Sequence, residues 1–336
     1  MSVFNGERYL AEAVESILTQ VFRDFEFIII DDGSTDLSAE IIRSYRDQRI
    51  RLFQQGNRGL APALNVGLRM ATAKYIARMD ADDISLPERL RLQYEFLEAY
   101  NECVAVGSNA IVIDADGNDL FTSDQPGEWG VIRLDLPRTP FYHSSTFFRR
   151  EAALRCGGYY EPIRQYFEDV IFFNRISRYG ELRNIGMPLI KYRLVPSALT
   201  NTDLAFSSAV LNIAKNILEE GRVSEADLEH LKRITKTRTR KWKESNYYLR
   251  IAKVYLEQNF NRRKASDNLI RAIMKRPLNG IAWANMLIAL MPRFLIRNWK
   301  HKRYELWDKR KMEVLKNIRS QKEENAGLLG EKHWKA

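Results

Sequence analysis

The sequence predicts an α/β fold, with a doubly wound and mostly parallel sheet, followed by a basic helical region. Three observations lead to this prediction. Short apolar segments alternate with amphipathic segments over the first hundred residues, and two of the apolar segments end in clusters of aspartate. Charge is also divided unevenly: residues 221–336 hold 29 Lys and Arg against 12 Asp and Glu, whereas residues 1–220 have a net charge of −7. Alternating strands and helices favour a parallel sheet, and the charge division indicates two regions with different roles.

The alternation is regular over the first ninety residues. Helical spacing of apolar residues predicts a helix over Glu7–Gln20, and the apolar run at residues 24–32 predicts a buried strand that ends in Asp31 and Asp32. The later elements are predicted in the same way: a helix at Ser38–Tyr45, a strand at Ile50–Gln54, a helix at about residues 59–71, a strand at Tyr75–Met79 and a helix beginning near Pro87. Ligands bind beyond the carboxyl ends of such strands, where both acidic clusters are expected.

The second half of the chain has a different pattern. From Val104 to about Leu194, short strands and polar turns with one helix near residues 169–179 predict the acceptor half of the same domain. Beyond Asn201 the sequence is charged and helical, with a break at Pro277 and Gly280. We therefore expect one domain over residues 1–204 and a basic α-helical region over residues 205–336.

Several classes of protein are disfavoured by what the sequence lacks. Cys103 and Cys156 are the only cysteines, too few for a disulfide framework and without metal-ligand spacing. There is no signal-peptide pattern and no run of eighteen apolar residues, so the expected location is cytoplasmic. GxxxxGK[ST] and GxGxxG phosphate loops are missing, which disfavours NTPases and dehydrogenases.

Asp80, Asp82 and Asp83 follow the strand predicted at residues 75–79. Three carboxylates within four residues repel one another unless a cation is present, and ligands that are all oxygen favour Mg²⁺ or Mn²⁺. In the alternative interpretation, Asp83 caps the next helix, which explains one acid and not three. We predict a metal site at Asp80 and Asp82.

The second cluster, Asp31 and Asp32, is suited to a nucleotide. A carboxylate at a strand end can accept a hydrogen bond from the N3–H of uracil or from a ribose hydroxyl. An Asx turn or helix cap is the alternative, and it accounts for residues 34–36 but not for Asp31 and Asp32.

Together these motifs resemble the family 2 glycosyltransferases of GT-A fold, which is Rossmann-like. The resemblance covers about the first 200 residues and rests on five motifs in family order: Asp-Asp-Gly-Ser-Thr-Asp at residues 31–36, Asn-Arg-Gly at 57–59, Arg-Met-Asp-Ala-Asp-Asp at 78–83 with Leu-Pro-Glu-Arg at 86–89, His-Ser-Ser-Thr at 143–146 with Gly-Gly-Tyr at 157–159, and Phe-Glu-Asp at 167–169. It implies an inverting, metal-dependent glycosyltransferase of the hexosyltransferase type that acts in bacterial polysaccharide biosynthesis. The donor would be a nucleotide-sugar, with uracil as the expected base. The acceptor would be a glycan or a lipid-linked molecule.

The resemblance also implies roles for individual residues. Phe4 would stack on the nucleobase, Asp32 would contact the base, Asp80 would meet the ribose or metal, and Asp82 would ligate the metal. Asp169 would be the catalytic base, although its sequence position alone fits a helix start next to Glu168 better. The other residues assigned to the nucleotide-sugar are Asn5, Asp31, Asn57, Arg78 and Arg193, and those assigned to the acceptor side are His143, Glu168 and Tyr159. A lone histidine such as His143 is as often structural.

The chain departs from the family pattern at two places. Relatives usually begin with a buried strand before the segment that contains Asn5 and Gly6, so the first central strand is expected to be missing, from a misplaced start or from a truncation. Relatives also often carry a histidine two residues after the arginine that corresponds to Arg193. Here that position is Val195, so we expect water as the final metal ligand.

The basic tail has three interpretations. Nucleic-acid binding ranks last, because no recognised motif or stacking platform is present, and we expect no nucleic-acid partner. A solvated helical appendage is the second. The third is contact with an anionic membrane surface through the apolar segment Ile281–Ile296, with Trp283 and Trp299 nearby, which would make the protein peripheral on the cytoplasmic face.

Two other functions compete with glycosyl transfer. A catalytically impaired protein could keep the fold and bind nucleotide-sugars without turnover if the first strand is lost. A nucleotidyltransferase would share the sheet and the acidic ligands, but Met1–Gly6 offers no glycine-rich phosphate loop.

Overall fold

The computed structural model describes residues 1–163, 167–196, 204–236, 239–258 and 261–290. Its N-terminal half is an alternation of strands and helices. The elements are β1 (Ser2–Val3), α1 (Glu7–Leu18), β2 (Phe27–Asp31), α2 (Ser38–Ser44), β3 (Ile50–Gln54), α3 (Leu60–Met70), β4 (Tyr75–Ala77), β5 (Ile84–Ser85) and α4 (Arg89–Ala99). The predicted alternation is confirmed, with ends that differ by up to three residues at most elements.

Strands β1, β2 and β3 form a parallel sheet in that order. Successive side chains of β2 point to opposite faces. Ile29 packs with Leu10 and Val14 of α1 in one core, whereas Ile30 faces α3, where it lies close to Gly67. The sheet is therefore covered by helices on both faces, which explains the apolar run that predicted β2.

The expectation that the first central strand is missing is wrong for Ser2 and Val3. These residues pair with Ile30 and Asp31 of β2, and Ser2 also forms a parallel bridge with Asp80. The short strand β1 thus lies between β2 and the acidic turn that follows β4. Next to Met1, an apolar cavity of about 460 Å³ separates β2 from β4.

The second sheet is mixed. Its elements in chain order are β6 (Cys103–Ile113), β7 (Asp119–Thr122), α5 (Trp129–Asp135), β8 (Phe147–Arg149), α6 (Arg150–Arg155), α7 (Glu168–Ile176) and β9 (Glu181–Arg193). The strands are ordered β4-β8-β6-β9-β5, with β7 paired to β6, and only β6 and β9 run parallel. The predicted helix near residues 169–179 is confirmed as α7, and β7 and β8 are short as predicted. The prediction is wrong for β6 and β9, which have 11 and 13 residues, and it missed α5 and α6.

The described part of the C-terminal region is helical, as predicted. Its helices are α8 (Leu204–Glu220), α9 (Glu225–Lys236), α10 (Arg240–Glu257), α11 (Arg262–Lys275) and α12 (Gly280–Leu290), and the break at Pro277 separates the last two. These helices pack on the α/β domain at two places. Ile171 of α7 shares a core with Ile213 of α8, and Val112 of β6 shares another with Leu249 of α10. Within the described ranges no helix has the length and apolarity needed to cross a membrane.

Candidate active site

A cleft of about 1420 Å³ lies at the carboxyl end of β1 and beside the acidic turn after β4. It gathers residues that are far apart in the sequence. Nine of the thirteen predicted site residues line it, namely Phe4, Asn5, Arg78, Asp80, Asp82, His143, Glu168, Asp169 and Arg193. The other four, Asp31, Asp32, Asn57 and Tyr159, do not. The donor, metal and acceptor-side predictions thus converge on one cavity.

The acidic turn brings three carboxylates together. Asp80, Asp82 and Asp83 each offer an oxygen within 4.8 Å of the others, the only such group among the described residues. Burial, followed by the charge of Asp80, raises the pKa of Asp82 to about 7. Burial likewise raises the pKa of Asp83 well above its usual value. Concentrated negative charge of this kind is stabilised by a cation.

The alternative that Asp83 caps the following helix is wrong. Helix α4 begins at Arg89 and its N-cap residue is Glu88. Asp83 Oδ1 instead accepts a hydrogen bond of 2.6 Å from the Arg193 backbone N–H. The second oxygen, Oδ2, is buried and accepts no hydrogen bond from the described residues. A buried carboxylate oxygen without a donor fits a divalent cation, so the residues present are suited to Mg²⁺ or Mn²⁺.

Asp80 is held by Arg78, which the sequence analysis assigned to the nucleotide-sugar, and by Ser144, to which it gave no role. The Ser144 hydroxyl donates to Asp80 Oδ2 at 2.8 Å and accepts from the Asp80 backbone N–H at 3.1 Å. Arg78 forms an ion pair with the same carboxylate and donates to Ser144 Oγ at 3.1 Å. The guanidinium of buried Arg89 in turn donates to the Arg78 carbonyl at 2.6 Å. Nothing in the sequence singled out Ser144 beyond its place next to His143.

Arg193 supports the acidic turn. Its Nε donates to the Asp82 carbonyl at 2.8 Å, its guanidinium pairs with Glu12, and it lies over the Tyr9 ring. The Arg193 guanidinium therefore already has protein partners, and the residue also lines the cleft. Glu12, on α1, is a residue that the sequence analysis missed, because an exposed glutamate on an amphipathic helix carries no signal of its own.

The second acidic cluster organises backbone. Asp32 accepts hydrogen bonds from the N–H groups of Arg58 and Gly59 at 2.9 and 2.8 Å, and from the Gln55 side chain at 2.7 Å. Asp31 accepts from the Ser34 N–H at 2.9 Å. Both carboxylates are buried. The contact between Asp32 and a nucleobase stays a prediction.

Phe4 and Asn5 form the other end of the cleft. The Phe4 ring is 52% exposed, which leaves a face free for stacking. Asn5 adopts a positive φ of 51°, and its side-chain oxygen accepts from the Thr35 N–H at 2.8 Å. The turn is thereby tied to the loop that follows β2, so that Phe4 is presented from an anchored segment.

A buried polar chain joins the residues that were predicted for the acceptor side. His143 Nε2 and the Tyr159 hydroxyl are 3.0 Å apart, and His143 Nδ1 lies 3.6 Å from Glu168. Burial lowers the pKa of His143 well below its usual value, whereas burial and the charge of Asp169 raise the pKa of Glu168 to about 8. Burial also raises the pKa of Asp169, which begins α7 beside Glu168. A carboxylate with a raised pKa binds a proton more strongly, as a general base requires.

Comparisons with known proteins agree with this geometry. The model of the family described as glycosyl transferase family 2 matches residues 1–158. Residues 1–158 belong to that family. One relative, named as "Putative glycosyltransferase EpsE" of Bacillus subtilis (strain 168), is 38% identical over 167 residues. The match covers 47% of this chain and 58% of EpsE. An uncharacterized glycosyltransferase of Haemophilus influenzae (strain Rd) is 30% identical over 203 residues, 57% of this chain and 63% of the relative.

The chain thus spans about three fifths of these two relatives. Among solved structures, S. aureus TarS residues 1–349 superposes with a TM-score of 0.51 at 16% identity, and covers 90% of both chains. The same protein in complex with UDP-GlcNAc gives a TM-score of 0.51 at 15% identity and the same coverage. These superpositions confirm the GT-A fold of the family 2 glycosyltransferase domain.

Proposed function

We propose that this protein is an inverting, metal-dependent glycosyltransferase that transfers a sugar from a nucleotide-sugar to a glycan or lipid-linked acceptor in polysaccharide synthesis. One observation carries the proposal. Asp80 and Asp82 of the acidic turn and the acidic pair Glu168 and Asp169 line the same cleft, although almost ninety residues separate them in sequence. Such a cleft has the two acidic groups that this reaction needs.

The two groups have different tasks. Asp169 takes the proton from the attacking acceptor hydroxyl as that oxygen bonds to the anomeric carbon and the bond to the nucleotide diphosphate breaks. Asp80 and Asp82 would hold Mg²⁺ or Mn²⁺, and the bound ion would supply positive charge to stabilise the departing diphosphate. Attack opposite the leaving group inverts the anomeric configuration. Arg78, Ser144 and Arg193 fix the positions of the aspartates.

The donor is proposed to be a UDP-sugar. Phe4 offers an exposed ring for the nucleobase. Asp32 and Asn57 lie in the loops that follow β2 and β3. Family membership of residues 1–158 and the UDP-GlcNAc complex of TarS, which shares the fold, support UDP-sugars as the first donors to test.

The test is release of UDP from a panel of UDP-sugars with Mn²⁺ or Mg²⁺, for the wild type and Asp82→Ala. We expect metal-dependent release by the wild type and loss of release in the variant, with the fold retained. Binding of UDP-sugar without release under any condition would favour the non-catalytic binding protein. Full activity of Asp82→Ala would contradict the metal assignment.

We also propose a peripheral contact with anionic membranes. Apolar side chains on α11, α12 and their connection are strongly exposed: Met274 by 75%, Leu278 by 98%, Ile281 by 58%, Leu287 by 64% and Leu290 by 67%. Trp283 is half exposed, and exposed Arg271 and Lys275 lie on α11 nearby. The rest of the predicted segment, residues 291–296, and Trp299 lie outside the described residues.

Vesicle sedimentation tests this contact. Each basic residue near an anionic surface contributes about 1 kcal/mol, screened by salt. Full-length protein should sediment with phosphatidylglycerol vesicles at low salt and be released as salt rises, and Leu287→Glu with Ile281→Glu should weaken sedimentation. Arg133→Glu, on α5, is the control for net charge. Equal sedimentation of all variants, or none by the wild type, would contradict the proposal.

A further inference from the structure

One side of the cleft is basic, in contrast to the acidic turn. The side chains come from the segment after α5 and from helices α10 and α11. We call this set the basic wall: Arg138, Arg240, Lys243, Arg250 and Lys275. Asp169, the proposed base, lines the same cleft as these cations.

Part of this charge is already neutralised. Glu244 accepts from Arg240 at 2.9 Å and pairs with Lys275 at 2.5 Å, and it is the only acidic residue of α10 or α11 that lines the cleft. Lys243 and Arg250 form no ion pair with any described residue. Lys243 is partly buried, and burial alone lowers its pKa. A lysine that is partly desolvated without a counter-charge is unfavourable for folding, and a bound anion relieves the penalty.

The position of these cations in α10 gives a second, independent argument. Helix α10 begins at Arg240, with Thr239 as N-cap, and its first turn contains no acidic residue. The N-terminus of a helix is the positive end of its dipole, where cations destabilise and anions are favoured. Arg240 is paired with Glu244 one turn later, whereas Lys243 forms no ion pair with any described residue and does not serve helix stability. Side chains and helix dipole add to one positive potential that faces the cleft.

The same side of the cleft offers surfaces suited to a sugar. Tyr142 and Tyr192 line it with their ring centroids 4.8 Å apart, and Tyr248 of α10 lines it next to them. Aromatic faces pack against the C–H faces of sugar rings, and the hydroxyls can exchange hydrogen bonds with sugar hydroxyls. A sugar that carries negative charge would match both the rings and the cations.

We propose that the basic wall binds the acceptor, and that this acceptor carries an anionic group, a phosphate or a carboxylate, held by Lys243 and Arg250. The inference rests on the proposed function, because it names the substrate class of the same site. The donor diphosphate is assigned to the aspartate turn, so the basic wall is left for the second substrate. Such an acceptor is the product of a reaction that installs glycosyl phosphate or uronate units.

The experiment measures binding, not turnover. Oligosaccharides of equal length, labelled with an uncharged fluorophore, are compared by fluorescence anisotropy in the presence of UDP and Mn²⁺: a neutral chain, a uronate chain and a chain with phosphodiester links. Full-length wild type is compared with Lys243→Gln, Arg250→Gln and Lys243→Arg. Lys241→Gln is the matched control, because Lys241 lies in the same helical turn, is exposed and does not line the cleft.

We expect at least one anionic chain to bind at least about fivefold more tightly than the neutral chain, the effect of one charge pair at a partly solvated site. Lys243→Gln and Arg250→Gln should each reduce the preference for the anionic chain by about fivefold. Lys243→Arg, which keeps the charge, and Lys241→Gln should both keep the wild-type preference. The preferred chain distinguishes phosphate from carboxylate. Equal binding of neutral and anionic chains would overturn the proposal, as would equal weakening by Lys241→Gln.

Two further outcomes separate this inference from the proposed function. If UDP displaces the anionic chain, and the Lys243 variant loses UDP affinity, the basic wall binds the donor diphosphate and the inference is wrong while the function stands. If no nucleotide-sugar is turned over but the anionic chain still binds through Lys243 and Arg250, the function is wrong and the anion site stands.

Discussion

Ser144→Ala tests whether the geometry around Asp80 sets the affinity for metal. The buried Ser144 hydroxyl donates to Asp80 Oδ2 at 2.8 Å, and accepts from the Asp80 N–H at 3.1 Å and from Arg78 at 3.1 Å. Removal of the hydroxyl leaves a carboxylate oxygen short of a donor and an N–H without its acceptor. The loss of a buried partner costs about 1–3 kcal/mol in stability.

The effect on metal binding follows from the same contacts. Groups that orient a metal ligand typically change affinity by about 10- to 100-fold when they are removed. We therefore expect the Mn²⁺ concentration for half-maximal UDP release to rise by about that factor. Because Asp80 itself remains, activity should recover largely at saturating Mn²⁺. Titration of activity against Mn²⁺, with direct metal binding by electron paramagnetic resonance, gives both quantities.

Ser145→Ala is the matched control. Ser145 is equally buried, but its hydroxyl donates to the Tyr142 carbonyl at 2.8 Å and accepts from the Ser108 N–H at 3.2 Å, away from Asp80. It should lose stability without a change in Mn²⁺ dependence. If both variants have the wild-type Mn²⁺ dependence, or both shift it equally, Ser144 does not position a metal ligand.

Three other changes test separate parts of the structure. Asp169→Asn should lower transfer at least about a hundredfold while calorimetry finds UDP affinity nearly unchanged, and loss of both would mark Asp169 as structural. Glu168 has a pKa of about 8 in the folded protein, whereas a glutamate in the unfolded chain has a pKa of about 4. Stability should therefore fall as pH rises from about 4 to about 8. Thermal unfolding should find a smaller fall in Glu168→Gln. Tyr247→Phe should cost about 1–3 kcal/mol in chemical unfolding, because the Ala115 N–H donates to the Tyr247 hydroxyl at 3.1 Å; an unchanged midpoint would contradict a role for this contact.

The sequence predicted the N-terminal half well because there local patterns and tertiary structure agree. The strand at Ile50–Gln54 has the predicted ends, and the apolar run before Asp31 is buried from both faces as its composition indicated. The fold class followed from the alternation in this half, which also holds three of the five family motifs. The acidic turn was predictable because three adjacent aspartates need few long-range contacts to come together.

The second half was predicted less well because its strands pair over long distances. Strand β9 pairs with β6 in parallel, with several register shifts, and no local signal in Glu181–Arg193 indicates a strand of that length around Gly186 and Pro188. The contact between Ser144 and Asp80 likewise joins residues that are 64 positions apart in the sequence. Helical periodicity in residues 205–290 was evident, but the sequence did not show which face of α10 meets the cleft.

The acidic and the basic parts of the chain both contribute side chains to the cleft. The acidic N-terminal part supplies the aspartate turn and the Glu168–Asp169 pair, and the basic C-terminal part supplies Lys243 and Arg250. In our proposals the opposite charges of this cavity serve different ligands: a cation and the donor diphosphate at the turn, and an anionic acceptor at the basic wall. The helical region holds this arrangement because Tyr247, four residues after Lys243 on α10, is fixed to Ala115 of the α/β domain. A change at that contact should therefore weaken acceptor binding before it affects the donor.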